Sequence, residues 1–144
     1  MTSDIVLAIE VHAEPKVVYD TVATRSGLSS FWTQDVQGDE HQGGVLTFGF
    51  PQAPARLPMM VARLEAPSAI SWSSDGPWPF WGGTAVAWTF GASEHGTQVI
   101  FRHTGWDESM PEDQFGSIAL TWAQVLTRLK DVVESGGAPN PALG

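Results

Sequence analysis

The chain has no cysteine, so neither a disulfide framework nor a thiolate metal site is available to it. Basic residues are scarce. Two lysines and five arginines face sixteen acidic residues, for a formal net charge of −9. Phosphate backbones and anionic lipid surfaces are repelled by such a charge, and no Lys/Arg stripe offsets it, which argues against nucleic-acid and membrane-surface binding. No apolar run reaches the length of a membrane span. Residues 1–10 carry Asp4 and Glu10 and no basic cluster, so they do not read as a signal peptide, and the expected compartment is cytoplasmic. Charged residues are also few, 16% against 42% apolar, a balance that fits one folded domain with its own core rather than a disordered segment.

Chemical motifs are largely missing as well. There is no nucleophile elbow and no phosphate-binding glycine loop; Gly43-Gly44 lies between strand-like runs and suits a turn. Asp35, Asp39, Glu40 and His41 form the only dense group of potential ligands. Their spacing matches no standard metal site and reads as a solvated turn, so no metal and no cofactor is expected.

What the chain does have is wide rings at regular spacing. Seven Trp and seven Phe accompany a single Tyr. Phe48 and Phe50, Ile70 and Trp72, Trp88 and Phe90, and Val99 and Phe101 are each two residues apart, which places each pair on one face of a strand. A small sheet lined in this way either fills a thick core or walls a hollow.

The order of elements follows from periodicity. Ile5, Leu7, Ile9 and Val11 predict an opening strand with odd positions inward. Pro15 suits the first turn of a helix to about Thr24, with Val18, Tyr19 and Val22 on one side. Gly27 is expected to interrupt, and Leu28, Phe31 and Trp32 predict a short second helix. A meander follows: a weak run at Val36, strands over residues 45–50, 59–65 and 69–73, and a hairpin of residues 84–90 and 97–104. Pro51, Pro54 and Pro58 are expected to hold residues 51–58 in a loop. Residues 74–83 form a second loop, carrying Trp78, Phe80 and Trp81. Phe115, Ile118, Trp122, Val125, Leu129 and Val132 repeat at three and four residues, predicting a long final helix. Ser109 and Glu112 are expected to form a capping box, and Gly136-Gly137 to stop the helix. The predicted class is α+β, a curved antiparallel sheet of about six to seven strands wrapped around that helix. One domain is expected over residues 1–137, with a flexible tail over 138–144.

This order and several local motifs resemble the START-like (SRPBCC) helix-grip superfamily, in the branch similar to the C-terminal domain of the heat-shock-protein-90 ATPase activator. Gly27-Leu28-Ser29-Ser30-Phe31-Trp32 resembles that family's helix ending in tryptophan. Gly43-Gly44 with Phe48-Gly49-Phe50, and Leu64-Glu65-Ala66-Pro67 followed by Ile70-Ser71-Trp72, are similar to its sheet signatures. His103-Thr104-Gly105-Trp106 and Trp122-Ala123-Gln124-Val125-Leu126 with Leu129 resemble its closing strand and helix. The resemblance spans about residues 4–135. It implies a helix-grip fold with an apolar cavity, among relatives that include lipid and hormone carriers, polyketide cyclases and co-chaperone domains. The activator's other domain has no counterpart in this sequence.

Two functional classes follow. In the first, the protein holds a small apolar or aromatic ligand, lipid- or polyketide-like. Trp32, Met59, Trp72, Trp88, Phe90, Phe101, His103, Phe115 and Trp122 then form the cavity wall, and Trp78, Phe80 and Trp81 either form its lid or fold back and plug the core. His103 shares the inward face of Val99 and Phe101. It is either a hydrogen-bonded core histidine or the acid/base of a cyclase- or dehydratase-type reaction. Arg63 and Arg102 lie in strands, solvated if they face outward and able to hold a ligand carboxylate if they face inward. In the second class the domain is a co-chaperone-like interaction module that docks a partner, such as a chaperone, through the Trp78–Trp81 loop or its acidic face.

Overall fold

In the computed structural model, described over residues 4–143, the chain opens with β1 (Ile5–Val11). Residues 1–3, which begin the acidic N-terminal stretch, and residue 144, which ends the expected tail, lie outside the described residues. Ile5 and Val11 are buried and Val6 is exposed, as the alternation predicts. Two helices follow, α1 (Pro15–Ala23) and α2 (Arg25–Phe31). Val18, Tyr19 and Val22 form the buried side of α1. The break between the helices falls at Thr24, not at Gly27. Thr24 ends α1 and caps α2, its hydroxyl oxygen accepting from the Gly27 N–H at 3.1 Å. Gly27 instead makes room between the helices. A Cβ there would lie 1.9 Å from the Thr21 carbonyl oxygen, so only glycine lets α2 close onto α1.

Six more strands complete the sheet: β2 (Asp35–Gly38), β3 (Val45–Gly49), β4 (Leu57–Glu65), β5 (Ala69–Ser74), β6 (Ala85–Ser93) and β7 (Gly96–Thr104). Their order is β1-β7-β6-β5-β4-β3-β2, antiparallel at every step. Pro58, expected in a loop, lies inside β4 opposite Thr47. It is tolerated because pairing of β4 with β5 begins only at Met59 and Ser74, so Pro58 has a strand neighbour on one side alone. A register shift follows between Val61 and Arg63. Arg63 then faces solvent beside Glu65, and Arg102 is exposed too, so neither arginine points into the core.

The final helix, α3 (Glu112–Glu134), lies against β1, α1 and α2. The expected capping box does not form. The helix starts after Pro111, and Ser109, two residues upstream of that cap, donates both its N–H and its hydroxyl to the Asp107 carboxylate at 2.8 and 2.7 Å. At the other end Gly136 and Gly137 adopt φ of +81° and +97°. Their N–H groups bond the Val133 and Val132 carbonyls at 3.2 and 2.8 Å, a Schellman stop.

Beyond it the chain returns to α2. Asn140, Ala142 and Leu143 donate to the carbonyls of Ser30, Phe31 and Trp32 at 2.7, 3.0 and 2.9 Å. The segment expected to fray thereby satisfies carbonyls that the end of a helix leaves open, and Arg128 bonds the Asn140 side chain. Among the described residues no helix is long and apolar enough to cross a membrane.

Candidate functional site

The inward faces of β3, β5, β6 and β7 carry the rings the alternation predicts, and those rings touch one another. Trp32, at the end of α2, lies 4.2 Å from Phe48 and 5.0 Å from Trp122, centroid to centroid, and is parallel to Trp72 within 9°. Trp72 meets Trp88 edge-on at 5.8 Å, Trp88 meets Phe101 at 4.9 Å, and Phe101 meets Trp122 at 4.4 Å. Met59 is fully buried in the same layer, and Phe90 packs on Tyr19 at 5.8 Å. The middle of the sheet is therefore filled with rings, in stacked, tilted or edge-to-face contact. The Trp88 indole N–H is buried there without an acceptor.

His103 sits at the edge of this layer and is completely buried. The Trp122 indole, which can only donate, gives its N–H to His103 Nδ1 at 3.1 Å. That fixes the proton of the neutral ring on Nε2, which donates to the Thr84 hydroxyl at 2.9 Å. Thr84 in turn donates to the Trp81 carbonyl at 2.7 Å. Each donor in the chain Trp122–His103–Thr84–Trp81 thus meets one acceptor. Burial lowers the His103 pKa from its usual 6.5 to about 3, because a charged ring there loses its water. The Trp106 indole closes the unit, donating to the His103 carbonyl at 3.1 Å and lying tilted against the His103 ring at 4.2 Å.

The loop between β5 and β6 folds back on this unit. Phe80 takes a φ of +69°, rare for a side-chain-bearing residue. Trp81 beside it is buried against His103 at 4.8 Å and Trp106 at 5.5 Å. Trp78 crosses to the β3–β4 loop and donates to the Ala55 carbonyl at 3.0 Å.

Between that loop, the first half of α3 and the returning tail lies a cleft of about 650 Å³. Trp32, Trp78, Trp81 and Trp122 form its aromatic wall, and no lining residue is charged. Of the side chains expected around a hollow, these four are brought together. Met59, Trp72, Trp88, Phe90, Phe101 and His103 lie in the packed layer instead, while Phe115 is half-buried against Trp106 at 6.1 Å. The expected wall left out Phe50, although it alternates with Phe48, and Ala53, Leu57, Ile118 and Leu143, which complete it. Ile118 was visible on the helix stripe; Leu143, alone in a polar tail, gave no periodic signal. The acidic turn resolves into separate pairs: Asp35 with Arg56 at 2.5 Å, Asp39 with His41 at 2.8 Å and Glu40 with Arg25 at 3.6 Å. The Arg56 guanidinium holds the Asp35 carboxyl below the usual range.

Comparison with known proteins agrees with this architecture. The profile of the family described as "Activator of Hsp90 ATPase homolog 1-like protein" matches residues 12–134. Among solved structures, the Aha1 dimer from Colwellia psychrerythraea is 28% identical, with 94% of this chain and 98% of that one covered and a TM-score of 0.83. A Staphylococcus saprophyticus protein is 22% identical over 98% of both chains, TM-score 0.79. An AHSA1-like protein from Aeromonas hydrophila is 19% identical over 94% of both, TM-score 0.69. A search of curated proteins found no match. With the family profile spanning most of its length, the chain belongs to the Activator of Hsp90 ATPase homolog 1-like family, a helix-grip branch whose fold commonly holds ligands.

Proposed function

We propose that the protein binds a small apolar or aromatic molecule in the cleft beneath the first half of α3. The observation that carries this reading is the wall of four tryptophans around about 650 Å³, a volume within the roughly 300–1,000 Å³ of small-molecule sites. Apolar burial supplies the affinity, and the packed ring layer behind the wall keeps it rigid, so little ordering is left for the ligand to impose. His103 acts in this reading as a positioning residue. Both its ring nitrogens are engaged, and it holds Trp122 and, through Thr84, Trp81 in place. The co-chaperone alternative draws less support, since Trp81, the centre of the loop expected to dock a partner, is turned into the core.

The test is a thermal-shift and tryptophan-fluorescence screen with steroids, flavonoids, polyketides and fatty acids, run on the wild type and on Ala53→Trp. Ala53 is a half-buried loop residue of the wall, so the larger side chain fills the cleft without disturbing the sheet. A concentration-dependent rise in melting temperature with quenching, lost in Ala53→Trp, is the expected result. Equal responses in both proteins would place binding elsewhere, and no response in either would remove the reading.

A further inference from the structure

The charge around the cleft is more selective than its shape. From Leu64 to Phe101, and again from His103 to Thr127, the sequence contains no lysine and no arginine. Those two stretches supply Trp78, Trp81, Ser117, Ile118, Thr121 and Trp122 to the wall. The same stretches carry Asp75 in the loop that bears Trp78 and Trp81, and Glu112 and Asp113 in the first turn of α3. Asp113, Ser117 and Thr121 are spaced four apart and share one row of the helix. Ser117 and Thr121 line the cleft, and Asp113, an exposed residue, lies one turn N-terminal to them on the same row.

No cation lines the cleft, and two that lie outside it give their donors elsewhere. Arg56, which lines the smaller groove next door, gives its donors to Asp35 at 2.5 Å and to the Thr47 hydroxyl and carbonyl, both at 3.0 Å. Arg128 is held by Asn140. A ligand carboxylate entering the cleft would find no counter-ion, would lose its water and would approach a protein of net charge −9. The positive end of the α3 dipole offers it little, because Glu112 and Asp113 occupy that turn. An ammonium group meets the opposite conditions: indole rings whose faces attract cations, and a carboxylate one turn along the lining row of α3.

We infer that the ligand is a lipophilic cation, an apolar or aromatic body carrying an ammonium group, with the body among Trp32, Trp78, Trp81 and Trp122 and the charge toward Asp113. This rests on the proposed binding function of the same cleft and names its ligand class. The experiment is a calorimetric titration of the full chain with three probes that share one naphthalene body: (2-naphthylmethyl)trimethylammonium, its neutral carbon isostere 2-neopentylnaphthalene, and 2-naphthylacetate. The cation is expected to bind about 10-fold more tightly than the neutral isostere at low salt, the gap narrowing as salt is added, with the carboxylate weakest. Asp113→Lys, at an exposed position, should weaken the cation and leave the neutral isostere unchanged. A neutral probe or a carboxylate that binds as tightly as the cation would overturn the inference and leave the binding function standing, as would an unchanged cation affinity in Asp113→Lys. No binding by any of the three, from folded protein, would overturn both.

Discussion

The two halves of α3 carry one continuous apolar stripe and meet two different environments. In the C-terminal half Val125, Leu126, Leu129 and Val132 are all at most 2% exposed. In the N-terminal half Phe115 and Ile118 are only partly buried. The difference lies in what faces the helix. Toward its C-terminus the elements packed against it, β1, α1 and α2, bring small and branched side chains such as Val11, Val18 and Val22 into the core. Toward its N-terminus the facing surface is the cleft. The stripe thus continues past the point where the core needs it, and the surplus becomes a wall. Trp122 stands at the boundary, tied to His103, so the polar chain of indole, imidazole and hydroxyl lies between the enclosed half and the half that borders the cleft.

That separation can be broken first with acid, the largest effect expected. His103 has a folded pKa of about 3 against 6.5 for a free ring, so the unfolded chain takes up the proton first. Stability is complete above pH 6.5 and falls as the pH drops toward 3, by up to about 1.4 kcal/mol per pH unit. Urea unfolding across this range should show the slope, His103→Gln should flatten it, and the His103 ring resonances should stay those of a neutral imidazole until the protein unfolds. A ring that titrates near its ordinary value in the native protein would disprove the locked chain. Next in size, Leu129→Ala at the packed end should cost about 2–5 kcal/mol, measured by denaturant, with ligand affinity of the remaining folded protein unchanged. If affinity fell with stability, the two halves would not be separate. Thr84→Val should cost about 1–3 kcal/mol by leaving the His103 Nε2–H buried without an acceptor. It should also shift tryptophan emission, since Trp81 loses the hydroxyl that holds its carbonyl.

The sequence made the fold legible because both its periods are strong. Alternating residues in β1, β5, β6 and β7 identify their inner faces, and the spacing of Val125, Leu129 and Val132 identifies the packed side of α3. It was misleading where a local rule met a tertiary one. Pro58 enters a strand because one side of it has no neighbour, Gly27 sits inside a helix because another helix passes over it, and Ser109 serves a turn rather than a cap. The cleft was half legible. Periodicity, of a strand or of a helix, marks a ring as inward but does not say whether another ring or open space stands opposite, so Trp72 and Trp88 on strands read the same as Trp32 and Trp122 at helical spacing. Which of them line the cleft is decided by the Trp78–Trp81 loop, the Pro51–Ala53 segment and the tail, none of which carries a period.

The smallest change in stability should accompany the clearest change in binding, at Ile118. It lies on the stripe one turn before Trp122, is only half-buried and faces the cleft. Ile118→Ala removes methylenes that bury little surface in the unliganded protein, so less than about 1 kcal/mol of stability should be lost, well below the range for buried aliphatic truncations. For a ligand in the cleft the same methylenes are contact surface, at roughly 25 cal/mol per Å² covered. Affinity for an apolar probe should therefore drop several-fold while the denaturation midpoint barely moves. Leu129→Ala is the mirror image, three helical positions beyond Leu126 and fully enclosed. Measured together, the pair tests whether one stripe serves two ends. A loss of stability at Ile118 as large as that at Leu129 would mean that the first half of α3 is core like the second, and that the cleft is too shallow for a ligand to reach it.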